Sequence, residues 1–376
     1  NLVTLPTSPT QFVHVKMQIA NCNQQSEVYF DISRMENISD HYTGIGVTGY
    51  EVYNPVVAND SINILLCPTT PVIYDFNPKQ ITAGTGSTLT ITGDNFGTAK
   101  GKVFFTNADD DGVNIFMHTF PPDITSWTNT QIIVKVPSIE FTNKSAGSGV
   151  FYVQLPNNAT ANSGQALDVL YAVQTARNPS DSSAIRVSIT DNGNDSLGYK
   201  FYNDSLLNAT PNANACIRTA LKKWNCATGV TWQLAGTQNV ITNPNSADGV
   251  NYLYLADESE FTEPNTTAQT YNNGRIGVCG GPKYYCTEID IAFRKSKPFT
   301  YDTSATTITN NSFDFHSVAL HELGHGHRLQ HALPTPKVMF PKLNLNEKRA
   351  SLTSYDLDGG LNVIQFSQTA LTPPCA

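Results

Sequence analysis

The sequence predicts a multidomain chain with a β N-terminal domain over residues 1–70, a β-sandwich over 71–172 and an α+β domain with a twisted sheet over 173–376. Three observations predict this. Residues 1–172 carry short alternating apolar stretches punctuated by Gly, Pro and Asn turns, the pattern of half-buried strands. From residue 173 onward, strand and helix periodicities mix. Five of the eight histidines fall within the sixteen residues 316–331, "HSVALHELGHGHRLQH", which marks a functional element in the last segment. A length of 376 residues also exceeds what one core ordinarily organises.

Residues 1–70 contain "FVHVKMQIA" and "SINILLC", read as strands of a small domain with no catalytic feature. Residues 71–172 are more regular. "PVIYDFNPKQITAGTGSTLTITGDNFG" gives a Pro-bounded strand, a Gly-rich turn, an alternating strand and a Gly-Asp-Asn-Phe-Gly turn. "GKVFF", "ITSWTNTQIIVKVP" and "GVFYVQL" supply further strands. With Pro78, Gly84, Gly93, Asn95, Phe96, Gly97, Trp127 and Pro137, this stretch resembles the immunoglobulin-like TIG (IPT) domain. The resemblance implies a sandwich and says little about function, since such modules serve as spacers or binding units. "ADDDG" at 108–112 is expected to be a solvated hairpin tip. It lacks the ligand spacing and closing Glu of a calcium loop, so no specific motif supports calcium.

Composition excludes some classes. Charged residues make up only 14% of the chain, against roughly 25% for an average soluble protein. Thr, Asn and Ser provide the polar surface instead, as is common in secreted β-rich proteins. The net charge of −8, without any Lys/Arg block, argues against a nucleic-acid surface. No apolar run approaches the about 20 residues of a membrane-spanning helix. The first residue is Asn1 and no signal peptide precedes it, which fits a processed secreted protein and a trimmed chain equally. Of seven cysteines, Cys216/Cys226 and Cys279/Cys286 are expected to form short-loop disulfides and Cys22/Cys67 a third, leaving Cys375 over.

In residues 173–376, "AIRVSI", "VNYLYLAD" and "TEIDIAF" read as strands. "NACIRTALKKWNCATGV" reads as a helix with Ile217, Ala220, Leu221 and Trp224 on one face. "SFDFHSVALHELGHGH" reads as a second helix capped by Asp314, and "LTSYDLDGGLNVIQF" as a third. On the second helix His321 and His325 are four residues apart and share a face, where two imidazoles can grip one Zn²⁺. Glu322 is offset around the helix, placed to act as a general base without ligating the metal. His331 follows His325 by six residues, so the chain must turn soon after His325 to bring it back, and Gly326 is available for that turn. Met339, in "KVMFP", follows as a hydrophobic turn beneath the site. His316 and His327 are expected to be solvated or to support the ligands from behind.

These motifs resemble the metzincin clan of zinc peptidases, and within it most closely the matrixins. "FDFHSVALHELGHGHRLQH" matches the zinc helix, "VMFP" the Met-turn and the start of the S1′ wall, and "LTSYDLDGGLNVI" the C-terminal helix. The resemblance implies His321, His325 and His331 as zinc ligands, Glu322 as general base and Met339 as the Met-turn residue. It also implies Phe340, Pro341 and Leu343 as S1′ wall candidates, and a protein or peptide substrate. The family places Gly where this chain has Arg328. Either Arg328 adopts that positive-φ turn, at a cost on the order of 1 kcal/mol, or the turn moves to Gly326. Substrate is expected to pair with an edge strand, for which "TEIDIAF" (287–293) is one candidate. Two other readings are a gluzincin-type peptidase with Glu347 as third ligand and a non-catalytic surface adhesin with a vestigial metal site.

Overall fold

The computed structural model describes residues 28–29, 45–47, 51–53, 61–62, 70–113, 116–139, 144–190, 197–237, 248–278, 282–334 and 336–370. The chain divides into two compact units, Asn1–Thr70 and Pro71–Ala376. In the first, Val28–Tyr29 pairs antiparallel with Ser61–Ile62, and Ile45–Val47 with Glu51–Tyr53. The rest of the expected N-terminal β domain lies outside the described residues.

The second unit begins with a sandwich of two four-stranded antiparallel sheets. One runs Ile124–Trp127, Gln131–Lys135, Thr88–Asp94, Val72–Asn77; the other runs Thr160–Asn162, Tyr152–Gln154, Lys102–Thr106, Phe116–His118. The alternation read from the sequence puts Leu89 and Ile91, Val103 and Phe105, Ile132 and Val134 between the sheets, where all are buried. Trp127 packs edge-on to Phe96 and donates its indole N–H to the Phe96 carbonyl at 3.1 Å.

Strand β1 (Asp168–Val173) leaves the sandwich and links it to the α+β region. It pairs parallel with Gln80–Ala83 and antiparallel with Leu329–Gln330, just beyond the histidine helix. Then follow β2 (Thr175–Arg177), β3 (Ala184–Ile189), β4 (Lys200–Asn203), helix α1 (Ala213–Thr228), β5 (Gln233–Thr237), β6 (Asn251–Ala256), β7 (Ala268–Val278) and β8 (Pro282–Arg294). Together they form one mixed sheet in the order β2-β3-β8-β6-β4-β5, with β7 antiparallel to β8. Helices α2 (Phe315–Gly326) and α3 (Ser354–Ala370) complete the region.

The expected stripe on α1 is the buried one: Ile217, Ala220, Leu221 and Trp224 meet Ile289, Ile291 and Phe293 of β8 in one core. Gly229, with φ of 79°, stops that helix by sending its N–H back to the Asn225 carbonyl at 3.0 Å. Helix α2 is buried along nearly its whole length, so its functional groups sit on a fixed axis rather than a surface turn.

The 216/226 disulfide is not formed. Both residues lie on α1, ten positions apart, which is about 15 Å along a helix and far beyond the about 7 Å limit for a disulfide. Cys216 is buried in the core and Cys226 is exposed. Cys286 sits in β8 with its Sγ 3.1 Å from the Glu288 carbonyl. Cys22, Cys67, Cys279 and Cys375 lie outside the described residues.

Candidate active-site cleft and metal centre

Helix α2 starts where Asp314 accepts the Ser317 N–H at 3.1 Å and the Ser317 hydroxyl at 2.5 Å. It presents His321 and His325 one turn apart. After Gly326 the chain turns back sharply: His327 N–H reaches the Leu323 carbonyl, Arg328 N–H reaches the His325 carbonyl, and Arg328 has φ of 65°. Arg328 therefore takes the left-handed turn itself. It is completely buried, and its guanidinium donates to Gln174 Oε1 (3.0 Å), Asn272 Oδ1 (2.8 Å) and the Gly326 carbonyl (3.0 and 3.1 Å). Those bonds hold a conformation that costs about 1–2 kcal/mol in a non-glycine residue.

This turn brings His331 back to the helix. A ligating nitrogen from each of His321, His325 and His331 lies within 4.8 Å of the others, the sole such group among the described residues. His325 Nε2 and His331 Nε2 are 3.2 Å apart. A tetrahedral centre with ligands at about 2.0–2.1 Å sets its nitrogens roughly 3.3 Å apart. Each opposite nitrogen is already engaged: His321 Nδ1 with the Val338 carbonyl (2.7 Å), His325 Nδ1 with the Leu329 carbonyl (2.9 Å) and His331 Nδ1 with Asp109 Oδ1 (2.6 Å). With the proton held on Nδ1, the Nε2 lone pairs are the ones left to bind metal. Burial, with His331 adding, pushes His321 down to about 3, and His325 is likewise held well below the usual range. Neutral imidazoles are what zinc requires. The donor set fits a zinc ion.

Glu322 is buried, and its Oε2 accepts the Thr270 hydroxyl at 2.7 Å. Burial pushes its carboxyl up to about 7, opposed by the Thr270 bond and by His331. The three histidines and Glu322 open onto a cleft of about 740 Å³. One rim is β7, through residues 268–272; the other is the 340–344 segment, so Phe340, Pro341 and Leu343 all line the cleft. Strand 287–293 is not a rim. It belongs to β8, which lies between β6 and β7, whereas β7 pairs with β8 alone among the described residues and so has a free edge beside the cleft. The Asn- and Gly-rich composition of β7 hid it from the periodicity reading.

Met339 is buried against α2. A Cβ on Gly324 would come 2.2 Å from Met339 Sδ and 3.3 Å from Trp224, so any larger residue here requires the end of the Met339 side chain to shift. Asp356, at the start of α3, fixes the backbone of the Met339 turn by accepting from Val338 N–H (3.1 Å) and Met339 N–H (3.3 Å). Gly324→Ala is expected to destabilise by about 1–3 kcal/mol through overpacking, partly offset by up to about 1 kcal/mol of helix propensity. A lowered thermal midpoint would show it; an unchanged or higher midpoint would mean that Met339 yields freely.

Two expectations need correction, and one alternative reading loses its ground. His316 and His327 are not solvated. Burial, with Lys223 and Lys348 adding, lowers His316 to about 4, and burial lowers His327 to about 3. His327 is wedged between Trp224 and Trp232, with Nε2 2.7 Å from Thr228 Oγ1, so it is a neutral core residue. The 108–112 turn is no free hairpin tip, because Asp109 reaches His331 and Asp111 reaches Lys342 at 3.1 Å. Glu347 bonds Arg349 and the Asn344 N–H and stands outside the histidine group, so nothing favours the gluzincin arrangement. The contributions of Thr270, Asp356 and Asp109 carry no motif and were not read from the sequence.

A sheet packed on a buried HExxH helix, with a third histidine folded back beside it, defines the class of a metal-dependent hydrolase domain. Comparison with known families makes this specific: the chain carries an IPT/TIG domain at residues 71–171 followed by a matrixin domain at 191–363. The matrixin family is zinc-dependent, and this domain supports a zinc metallopeptidase. A stretch of 93 residues is also 34% identical to a cyclomaltodextrin glucanotransferase of Bacillus sp. (strain 1011), covering 25% of this chain and 10% of that enzyme. The likeness thus spans about a tenth of that relative's length. No helix among the described residues is long and apolar enough to cross a membrane.

Proposed function

We propose that this chain is a secreted zinc endopeptidase. His321, His325 and His331 hold the metal, and Glu322 is the general base. The observation that carries the reading is the convergence of three imidazole nitrogens whose partner nitrogens are all bonded to oxygen acceptors. Zinc held there supplies Lewis-acid chemistry, activating water near neutral pH and polarising a carbonyl. Glu322 takes the proton of the attacking water and passes it to the leaving amine. Its buried position and the Thr270 hydroxyl fix the carboxylate for both transfers. An extended substrate adds to the edge of β7 as a further strand, with Phe340, Pro341 and Leu343 shaping the S1′ pocket. Arg349 steadies that wall by donating to the Phe340 carbonyl at 3.3 Å and covering its ring. Placement outside the cell rests on the low-charge, Thr/Asn-rich composition.

The test is cleavage of a denatured generic protein alongside metal analysis. We expect one zinc per chain, cleavage abolished by a chelator and restored by added zinc. Intact substrate with fully zinc-loaded protein would favour the adhesin reading, and chelator-insensitive cleavage would remove zinc from the reaction.

A further inference from the structure

We infer that Asp109, a residue of the IPT/TIG domain, is a positioning residue for His331, so that the sandwich completes the peptidase site. This inference rests on the zinc reading above. The three histidines are not held alike. His321 and His325 give their Nδ1 to neutral backbone carbonyls of their own region, whereas His331 gives its Nδ1 to a carboxylate 222 positions away in sequence. A carboxylate behind a ligating imidazole fixes the tautomer and ring orientation and makes the other nitrogen a stronger donor.

Asp109 is itself built in. Its second oxygen accepts the Ser145 N–H at 2.7 Å, and its own N–H donates to Asn107 Oδ1 at 3.1 Å. The same wall grips the chain around the ligand. Ser145 Oγ donates to the His331 carbonyl at 3.1 Å, and Ser148 Oγ to the Leu333 carbonyl at 3.1 Å. His331 lies on the loop after α2, without the helical support of the other two ligands. It is the ligand whose direction most needs an outside partner, and the sandwich provides it.

The experiment measures zinc affinity of the full chain by competition with a chromogenic chelator, for the wild type, Asp109→Ala, Asp109→Asn and Asp111→Asn. Loss of the carboxylate in Asp109→Ala is expected to weaken zinc binding roughly 10–100-fold. Asp109→Asn, which keeps an acceptor, should fall between that and the wild type. Asp111→Asn alters the same turn without touching His331 and should bind zinc as the wild type does. The visible absorption of the cobalt(II)-loaded protein should change in both Asp109 variants and stay the same in Asp111→Asn. Wild-type affinity in Asp109→Ala overturns the inference, as does equal weakening in Asp111→Asn, which would reduce the effect to turn structure. If Asp109→Ala does not fold, Asp109→Asn decides: unchanged affinity with an unchanged cobalt spectrum overturns it. A wild type that binds no zinc would instead overturn the proposed function, and this inference with it.

Discussion

Glu322→Gln is expected to bind one zinc, fold normally and lose roughly 10²–10⁴-fold in kcat/KM, the usual worth of a positioned general base. The substitution isolates proton transfer. Gln keeps the length of the side chain and an oxygen that accepts from Thr270, so the geometry around Oε2 is retained. It removes only the ability to take a proton. A buried carboxylate whose ionisation is opposed by its surroundings is replaced by a neutral amide, so the thermal midpoint should not fall. Reduced activity with reduced zinc would mean a structural role instead. Full activity in the zinc-loaded variant would show that another group handles the proton.

Arg328→Gly is expected to destabilise by on the order of 3 kcal/mol, through lost charge-assisted hydrogen bonds and a cavity. The family pattern predicts the opposite, because glycine would relieve the φ of 65° and recover about 1–2 kcal/mol. The contacts decide between the two. The guanidinium joins Gln174, beside β1, to Asn272 on the cleft-edge strand β7 and to the end of helix α2 at Gly326. Removing it leaves buried acceptors without a donor and loosens the turn that returns His331 to the cluster. At about 2–4 °C per kcal/mol for a domain of this size, the thermal midpoint should drop by several degrees. Zinc affinity should weaken with it. A variant as stable as the wild type would show that the arginine is tolerated rather than used.

Much of the site was legible because its signals are local. The four-residue spacing of His321 and His325 places them on one helical face whatever surrounds them, and Asp314 caps its own helix three residues away. The turn after α2 was legible as a necessity, though its location was not: bringing His331 back beside His325 demanded a reversal, and whether 326 or 328 supplied it depended on partners far along the chain. The failures share that cause. Sequence proximity suggested pairing Cys216 with Cys226, but one helix holds both and separates them. The sequence left His327 either solvated or supporting the ligands from behind, but packing between two tryptophans made it a core residue.

By itself, the sequence determined the β-sandwich pattern, the helix that carries His321, Glu322 and His325, and the spacing that requires a turn before His331. Only the tertiary structure decided what holds those groups: Thr270 on Glu322, Asp356 on the Met339 turn, Arg328 on the helix end and Asp109 on His331. The physical reason is range. Helical periodicity and capping act over three or four residues and are written into local order. A hydrogen bond between residues 109 and 331 exists only once two separately patterned cores have packed together, and no local spacing encodes it.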